Sequence, residues 1–142
     1  KVKESEMDFK LNVGENKKIT VAAKQEFSDW CIKVLPNEQY LISCSKDERW
    51  KDWFINTSAE GYCNPLAILV GLRVKHVKCF CLCGAYNRDD KTAFEIGLNK
   101  LITIPDTIKG TSLLKLYFFA NDSKGYYWNN RGQIEISIGR MS

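Results

Sequence analysis

Short segments that alternate apolar and polar residues, separated by turn signals about every ten residues, most strongly constrain the fold of this chain. Clear examples are residues 19–22 (ITVA), 39–43 (QYLIS) and 133–138 (QIEISI). Alternation places every second side chain on one face, which is typical of a strand with one buried and one solvated side. The pattern predicts an all-β protein, a jelly-roll-like β-sandwich of about eight or nine short antiparallel strands.

Four other segments are less regular. Residues 66–74 and 77–83 are predominantly apolar and predict buried strands. Residues 50–54 place three aromatic rings at helical spacing, which predicts either one helical turn or a long loop, with the rings capping the core. Residues 92–99 weakly indicate another helix. The length predicts a single domain over residues 1–142, and the charged residues 1–7 are expected to be frayed.

Charge and hydropathy disfavour two classes of partner. The formal net charge is +4 and the lysines are scattered along the chain, which argues against a nucleic-acid-binding protein. No apolar run approaches the roughly 18 residues of a membrane-spanning helix, so no membrane insertion is expected. No signal peptide is visible, but the sequence starts at Lys1, and this is compatible with removal of such a peptide.

Six cysteines are many for a chain of this length. Cys79, Cys81 and Cys83 alternate with Phe80 and Leu82, so a strand here would direct all three thiols to one face. That spacing favours buried thiols over cross-strand disulfides or a metal site, because metal-binding cysteines usually occur as CxxC pairs.

The chain lacks the usual equipment of an enzyme. Its one histidine, His76, has no nucleophile or orienting acid nearby in sequence. No pair of carboxylates is marked for glycoside hydrolysis, and no glycine-rich phosphate loop is present. We therefore expect a binding protein rather than an enzyme.

The segment 122–132, DSKGYYWNNRG, is the strongest candidate for a functional site. It places the carboxylate of Asp122 and the amide oxygens of Asn129 and Asn130 on one loop, with a glycine at position 125 for a tight turn. Such oxygen-rich loops bind hard cations such as Ca²⁺. Asn-Asn before a glycine is also the pattern of an ordinary hairpin, and composition alone favours the hairpin.

The surrounding sequence resembles the Pseudomonas-type galactophilic lectin family, which comprises small, soluble, calcium-dependent bacterial lectins. Residues 118–139 match the family pattern N-D-x-x-G-x-Y-x-N-N-x-G without a gap, followed by an alternating strand that ends in Ile-Gly. Residues 19–23 and 69–74 are similar to two further strands of the family, more loosely. The resemblance implies a galactose-binding-like sandwich and a calcium-dependent lectin that binds galactose-type glycans through calcium-coordinated hydroxyls.

The resemblance also implies roles for particular residues. Asp122, Asn129 and Asn130 would bind calcium through side chains, and Tyr126 through its carbonyl. Asp122 and Asn129 would also contact the sugar. A further backbone ligand would come from residues 27–29 (Phe27, Ser28 or Asp29), whose register the sequence leaves open. The family tends to form tetramers, and this implies a homo-oligomer, either a dimer or a tetramer. An extracellular or cell-surface location is favoured over a cytoplasmic one.

Two departures from the family affect the sugar rather than the cation. Trp128 stands where the family has glycine, and its ring could either stack on a sugar or fill the pocket. The family's histidine and glutamine that complete galactose recognition have no clear counterpart in residues 45–65. The alternative is a structural or protein-interaction module of the same fold that has lost sugar binding.

Overall fold

A computed structural model describes residues 6–108 and 113–142 of the chain and confirms the all-β prediction. These residues form eleven strands and one short α-helix. The strands are β1 (Met7–Phe9), β2 (Asn16–Ala22), β3 (Trp30–Val34), β4 (Gln39–Ser43), β5 (Trp50–Asp52), β6 (Ile55–Thr57), β7 (Leu82–Tyr86), β8 (Phe94–Glu95), β9 (Asn99–Thr103), β10 (Leu114–Ala120) and β11 (Asn130–Arg140). Helix α1 spans Pro65–Val70.

The strands form two sheets that pack as a β-sandwich. The first sheet has the order β1-β3-β10-β7-β8, and β1 runs parallel to β3. The second has the order β6-β5-β11-β4-β9, and β2 also pairs with β11. Strands β10 and β11 are therefore the central strands of the two sheets, and the candidate loop is the connection between them.

The core lies between the sheets and is built from the inward-facing positions of both. Val21, Ile42 and Ile134 of the second sheet and Ile32 and Leu116 of the first are fully buried in one cluster. The alternating burial of β4 and of the C-terminal part of β11 matches the alternation in their sequences. These strands were predictable because one face contacts the core and the other contacts solvent.

The prediction of a strand over residues 66–74 is wrong. Residues 65–70 form α1 instead, because Asn64 caps the helix and Pro65 occupies its first turn. The Asn64 Oδ1 accepts hydrogen bonds from the backbone N–H groups of Leu66 and Ala67 at 3.2 and 3.3 Å. In the described part of the chain, no helix is long and apolar enough to span a bilayer.

The predictions of a helical turn near residues 50–54 and of a helix over residues 92–99 are also wrong. Residues 50–57 form the hairpin β5–β6, whose turn places Trp53 at a positive φ of 58°. Trp50 is fully buried, but Trp53 and Phe54 are 59% and 80% exposed and do not cap the core. Residues 92–99 contain the short strand β8, preceded by a single 3₁₀ turn at Asp90–Thr92.

All six cysteines are free thiols, and five of them are buried, Cys63 being the exposed one. The prediction that Cys79, Cys81 and Cys83 share one face of a strand is wrong. Phe80 has a positive φ of 63°, which breaks the extended run, and β7 begins only at Leu82. Cys79 joins the main core, whereas Cys83 belongs to a smaller cluster with Ala85 and Phe119.

The described chain begins with contacts to the first sheet. Glu6 forms ion pairs with Arg88 at 2.6 Å and Lys115 at 3.0 Å, and Met7 begins β1. Residues 1–5 lie outside the described residues, and the fraying of residues 1–7 stays a prediction.

Candidate cation and ligand site

The candidate site is the loop that connects β10 to β11. Gly125 adopts a φ of 86°, a conformation that favours glycine, and the Tyr126 N–H donates to the Ser123 carbonyl at 3.1 Å across the resulting turn. A 3₁₀ turn at Tyr127–Asn129 then leads into β11. The loop thus connects the central strands of the two sheets through nine residues, numbers 121–129.

Asn121 anchors the start of the loop through a fully buried amide. Its Oδ1 accepts from the Val74 N–H at 3.0 Å, and its Nδ2 donates to the carbonyls of Val74, Val77 and Lys78 at 3.0–3.2 Å. All polar atoms of this side chain are therefore engaged by the 74–78 segment. Asn121 therefore has a structural role in this chain.

Arg73 holds the loop from behind. Its guanidinium pairs with the Asp90 carboxylate, with Nη2–Oδ1 at 2.8 Å and Nε–Oδ2 at 3.3 Å. Nη1 donates to the hydroxyl of Tyr127 at 2.7 Å, and the Arg73 backbone N–H donates to the Asp122 carbonyl at 3.0 Å. The guanidinium also lies 3.6 Å from the ring centroid of Phe119. Since the side chain is only 1% exposed, these contacts fix the loop with little freedom.

Three side-chain oxygens in the loop are buried and have no hydrogen-bond partner among the described residues. They are Asp122 Oδ2, Asn129 Oδ1 and Asn130 Oδ1, and they belong to the three side chains that the sequence predicts as calcium ligands. The neighbouring Ser123 Oγ is in the same condition. Buried polar atoms are normally paired, because an unpaired one loses its hydration without compensation. A cation held by these oxygens would supply that compensation, so the residues fit the ion.

In two of these side chains, Asp122 and Asn130, the other polar atom is hydrogen-bonded to the backbone and holds the oxygen in place. Asp122 Oδ1 accepts from the Ser123 N–H at 2.7 Å, and Asn130 Nδ2 donates to the Ala23 carbonyl at 3.0 Å. Asp122 and Asn130 therefore each have one side-chain atom bound to the scaffold and one oxygen left over. This division is the arrangement expected of a preorganised ligand set.

Asp122 is only 4% exposed, and this burial strongly affects the protonation of its carboxyl group. Burial, with a smaller contribution from the nearby Asp52 carboxylate, raises the pKa of Asp122 to about 6. The Ser123 N–H, the Asn130 side chain and Arg73 act in the opposite direction. Burial thus disfavours the charged form of Asp122 without a counter-ion, and this is a second indication that a cation fits this position.

Asp52 was not identified from the sequence as part of the site. It lies at the end of β5, where the register places it directly opposite Asn130 of β11. Side chains opposite each other in an antiparallel pair lie on one face of the sheet. The next residue, Trp53, donates its N–H to the Asn129 carbonyl at 3.2 Å. No local signal marks Asp52, because its position depends on the pairing of two strands far apart in sequence.

A small network orients the Asp52 carboxylate. Its Oδ2 accepts from the Tyr62 hydroxyl in a short hydrogen bond and from the Cys79 thiol at 3.6 Å. Asn64 Nδ2 in turn donates to the Tyr62 hydroxyl oxygen at 3.0 Å. Burial and the charges of Asp52 and Asp122 raise the pKa of Cys79 to about 12, so it remains a thiol and can donate.

Aromatic rings surround the outer side of the loop. Trp128 is 70% exposed and therefore does not fill a buried pocket, while Tyr126 is half-exposed. Trp53 and Phe54, in the β5–β6 turn, pack against each other with centroids 4.7 Å apart. The hydrogen bond from Trp53 to Asn129 attaches this second pair of rings to the loop.

The segment predicted to add a backbone ligand is tied to other elements. The Asp29 carbonyl accepts from the Met7 N–H at 2.7 Å, and Ser28 exchanges hydrogen bonds with Trp30 and Phe118. The Phe27 ring contacts Phe119 with centroids 5.7 Å apart. Which carbonyl of residues 27–29 would contact a cation stays a prediction.

The donors of the site are mostly amide oxygens. Across residues 6–108 and 113–142, no group of three or more histidine, cysteine, aspartate or glutamate side chains is placed to hold a metal ion. Any cation bound by the loop would therefore rely on one carboxylate, Asp122, and neutral oxygens, with the charge of Asp52 nearby. Hard cations prefer such oxygen sets, whereas zinc prefers nitrogen and sulfur ligands.

Comparison with known proteins identifies the fold. No protein-family model and no curated protein matches the sequence. One solved structure, described as "EclA N-terminal domain; PllA-like lectin", superimposes with a TM-score of 0.61 at 17% sequence identity, over 87% of this chain and 94% of that one. The β-sandwich built here from two sheets therefore has the same fold as this lectin domain.

Proposed function

We propose that this protein is a calcium-dependent carbohydrate-binding lectin that recognises galactose-type sugars. The observation that carries the proposal is the set of three buried, unpartnered oxygens on Asp122, Asn129 and Asn130 in one loop. The lectin fold of the structural neighbour supports it independently. Nothing in the proposal requires covalent chemistry, and we infer a binding protein rather than an enzyme.

The ligand set would comprise the side chains of Asp122, Asn129 and Asn130 and the carbonyl of Tyr126. A calcium ion bound there would leave coordination positions that two vicinal sugar hydroxyls can fill. Asp122 and Asn129 would accept hydrogen bonds from the same hydroxyls. Since Trp128 is 70% exposed beside the loop, its ring is free to pack on the apolar face of the sugar rather than to block the site.

Asp52 extends this site beyond the family pattern. Its Oδ2 accepts hydrogen bonds from Tyr62 and Cys79, and the residue is partly exposed. We infer that Oδ1 faces solvent beside Asn130 and can accept a hydrogen bond from a sugar hydroxyl. This would supply part of the recognition for which the sequence lacks the family's histidine and glutamine.

The decisive experiment is calorimetry with calcium, followed by a glycan array with and without chelator. We expect a calcium-binding signal, and glycan binding that is lost in EDTA. Asp122→Asn should abolish both, because the amide removes the negative charge and keeps the shape of the side chain. The matched control is Asp47→Asn, an exposed aspartate in the 45–48 turn that should leave both unchanged.

Two outcomes would count against the proposal. An absence of calcium heat together with chelator-insensitive or absent glycan binding would contradict it. If Asp122→Asn lowered the melting temperature without any effect on calcium or glycan binding, the loop would be structural and the alternative, an interaction module, would be favoured.

Assembly and location belong to the same proposal. Single lectin sites bind sugars weakly, and two or four linked copies would raise the avidity of binding to a surface. We therefore propose that the protein forms a dimer or tetramer and acts outside the cell or at its surface.

A further inference from the structure

A second concave site is lined in part by Tyr62, the residue whose hydroxyl donates to Asp52. It is a cleft with a volume of ≈ 630 Å³ between α1 and the segment that precedes β7. The lining includes Ile68, Leu69, Leu72, Val77, Lys75 and Lys78. Small-molecule sites generally have this size and combine apolar walls with a few polar groups.

The wall formed by α1 exposes aliphatic side chains that have no partner. Ile68 is 61% exposed and Leu69 is 83% exposed, although the helix has only six residues. Contiguous exposed apolar surface is costly in water and usually marks a binding surface. The cleft therefore offers an apolar chain a favourable environment next to these residues.

The opposite wall is basic. Lys75, His76 and Lys78 all line the cleft and are exposed, and none forms an ion pair within the described residues. No acidic side chain is part of the lining. The uncompensated positive charge at this wall would attract an anionic group.

Both walls are fixed before any ligand binds. Helix α1 is capped by Asn64 at its start, and at its end the Gly71 N–H donates to the Ala67 carbonyl at 2.9 Å. The Tyr62 N–H donates to the Cys79 carbonyl at 2.8 Å, which joins the two walls at the base of the cleft. A preformed cleft loses little entropy when it binds a ligand.

We propose that this cleft binds an amphiphile with an apolar chain and one anionic head, such as a medium-chain fatty acid. The chain would lie against Ile68, Leu69 and Leu72, and the head would lie near the ammonium groups of Lys75 and Lys78. This site does not use Asp122, Asn129 or Asn130, so it stands or falls independently of the calcium loop.

The test is a titration of the whole protein with octanoate and with 1-octanol in the presence of EDTA, followed by calorimetry and by NMR shifts of the Ile68, Leu69 and Leu72 methyl groups. We expect saturable one-to-one binding of octanoate, with 1-octanol weaker by about fivefold or more because it lacks the charge. The double variant K75E/K78E should weaken octanoate binding by about tenfold or more. The matched control K46E/K100E changes the net charge equally at two other exposed lysines and should leave binding unchanged.

A second pair of variants tests the apolar wall. Leu69→Asp should weaken octanoate binding, whereas Leu101→Asp, at an exposed leucine of β9, should not. Both positions are more than half exposed, at 83% and 56%, so neither substitution removes a core side chain.

Vesicles of phosphatidylcholine, with and without phosphatidylglycerol, identify the source of the amphiphile. Octanoate binding without vesicle binding indicates a soluble amphiphile, and binding to both octanoate and anionic vesicles indicates a membrane lipid; either result supports the site. Equal affinity for octanoate and 1-octanol, no effect of K75E/K78E, or vesicle adsorption without saturable octanoate binding would overturn the proposal.

Discussion

Asp122 is buried and carries a charge that the metal-free protein only partly compensates. Burial raises its pKa from the ordinary value of 3.8 to about 6, so between these values the folded state holds a proton that the unfolded state releases. In the metal-free protein, this group therefore adds stability below pH 4 and loses that contribution as the pH rises through 6. Calcium binds only the ionised carboxylate, so the stability that calcium adds increases as the pH rises through 6.

The affinity for calcium should therefore depend on pH around this pKa. Below pH 6 we expect the calcium affinity to fall by about tenfold per pH unit, because one proton competes with the ion for Asp122. Calorimetric titrations at pH 7, 6 and 5 measure this slope. An affinity that is equal at pH 7 and pH 5 would show that Asp122 is not a calcium ligand.

Asp52 tests whether a second charge belongs to the same site. Asp52→Asn should lower the calcium affinity by about fivefold, roughly 1 kcal/mol, because it removes one negative charge beside Asn130 in a partly solvated position. It should also lower the pKa of Asp122 in the metal-free protein, since Asp52 contributes to raising it. Asp47→Asn is the control, and unchanged affinity in both variants would remove Asp52 from the site.

At the scale of the elements, Gly61 fixes the loop that carries Tyr62 against the segment before β7. A Cβ atom at this position would lie 2.4 Å from the Cys79 carbonyl oxygen and 2.5 Å from the Cys81 nitrogen, and Gly61 has a φ of +76°. Gly14 has a similar φ of +88° but open space around it. A substitution at Gly14 therefore measures the cost of the backbone conformation alone, and a substitution at Gly61 measures that cost together with the cost of the clash.

We expect Gly14→Ala to lower the free energy of unfolding by about 1 kcal/mol, the usual cost of a left-handed conformation. Gly61→Ala should cost about 3 kcal/mol or more, because backbone atoms must also move. Urea unfolding of both variants measures the difference. Equal losses would mean that the 58–62 loop can move away from Cys79, and that the walls of the neighbouring cleft are less rigid than proposed.

The elements also show how far the sequence determines the structure. Strands β4 and β11 were predictable because their alternation reflects one buried face. Helix α1 was not recognised, because its apolar residues resemble a buried strand, and only the Asn64-Pro65 start signal distinguishes the two. The β5–β6 hairpin was missed because a turn centred on Trp53 and Phe54 lacks the glycine or asparagine that usually marks one.

The same limit applies to the site. Asp122, Asn129 and Asn130 lie on one short loop, so a local pattern is enough to group them. Asp52 reaches them only through the pairing of β5 with β11, and Arg73 only through the packing of its segment behind the loop. Contacts between residues that are distant in sequence leave no local pattern, and they require the structure.

At the scale of the whole molecule, the candidate loop connects the central strand of one sheet to the central strand of the other. Unfolding either sheet would therefore disrupt the ligand set, and a bound cation should stabilise the complete sandwich rather than the loop alone. At calcium concentrations about 100-fold above the dissociation constant, the stabilisation should be about 2.7 kcal/mol. For a chain of this length, that corresponds to a rise in Tm of about 10 °C.

Differential scanning calorimetry at increasing calcium concentrations measures this effect on the wild type and on Asp122→Asn. In the wild type we expect a single transition that moves to higher temperature as calcium is added, because both sheets depend on the connection at 121–129. Asp122→Asn should melt at a temperature that does not depend on calcium. A calcium-dependent shift of only part of the transition would mean that the ion stabilises the loop locally, and that the two sheets unfold separately.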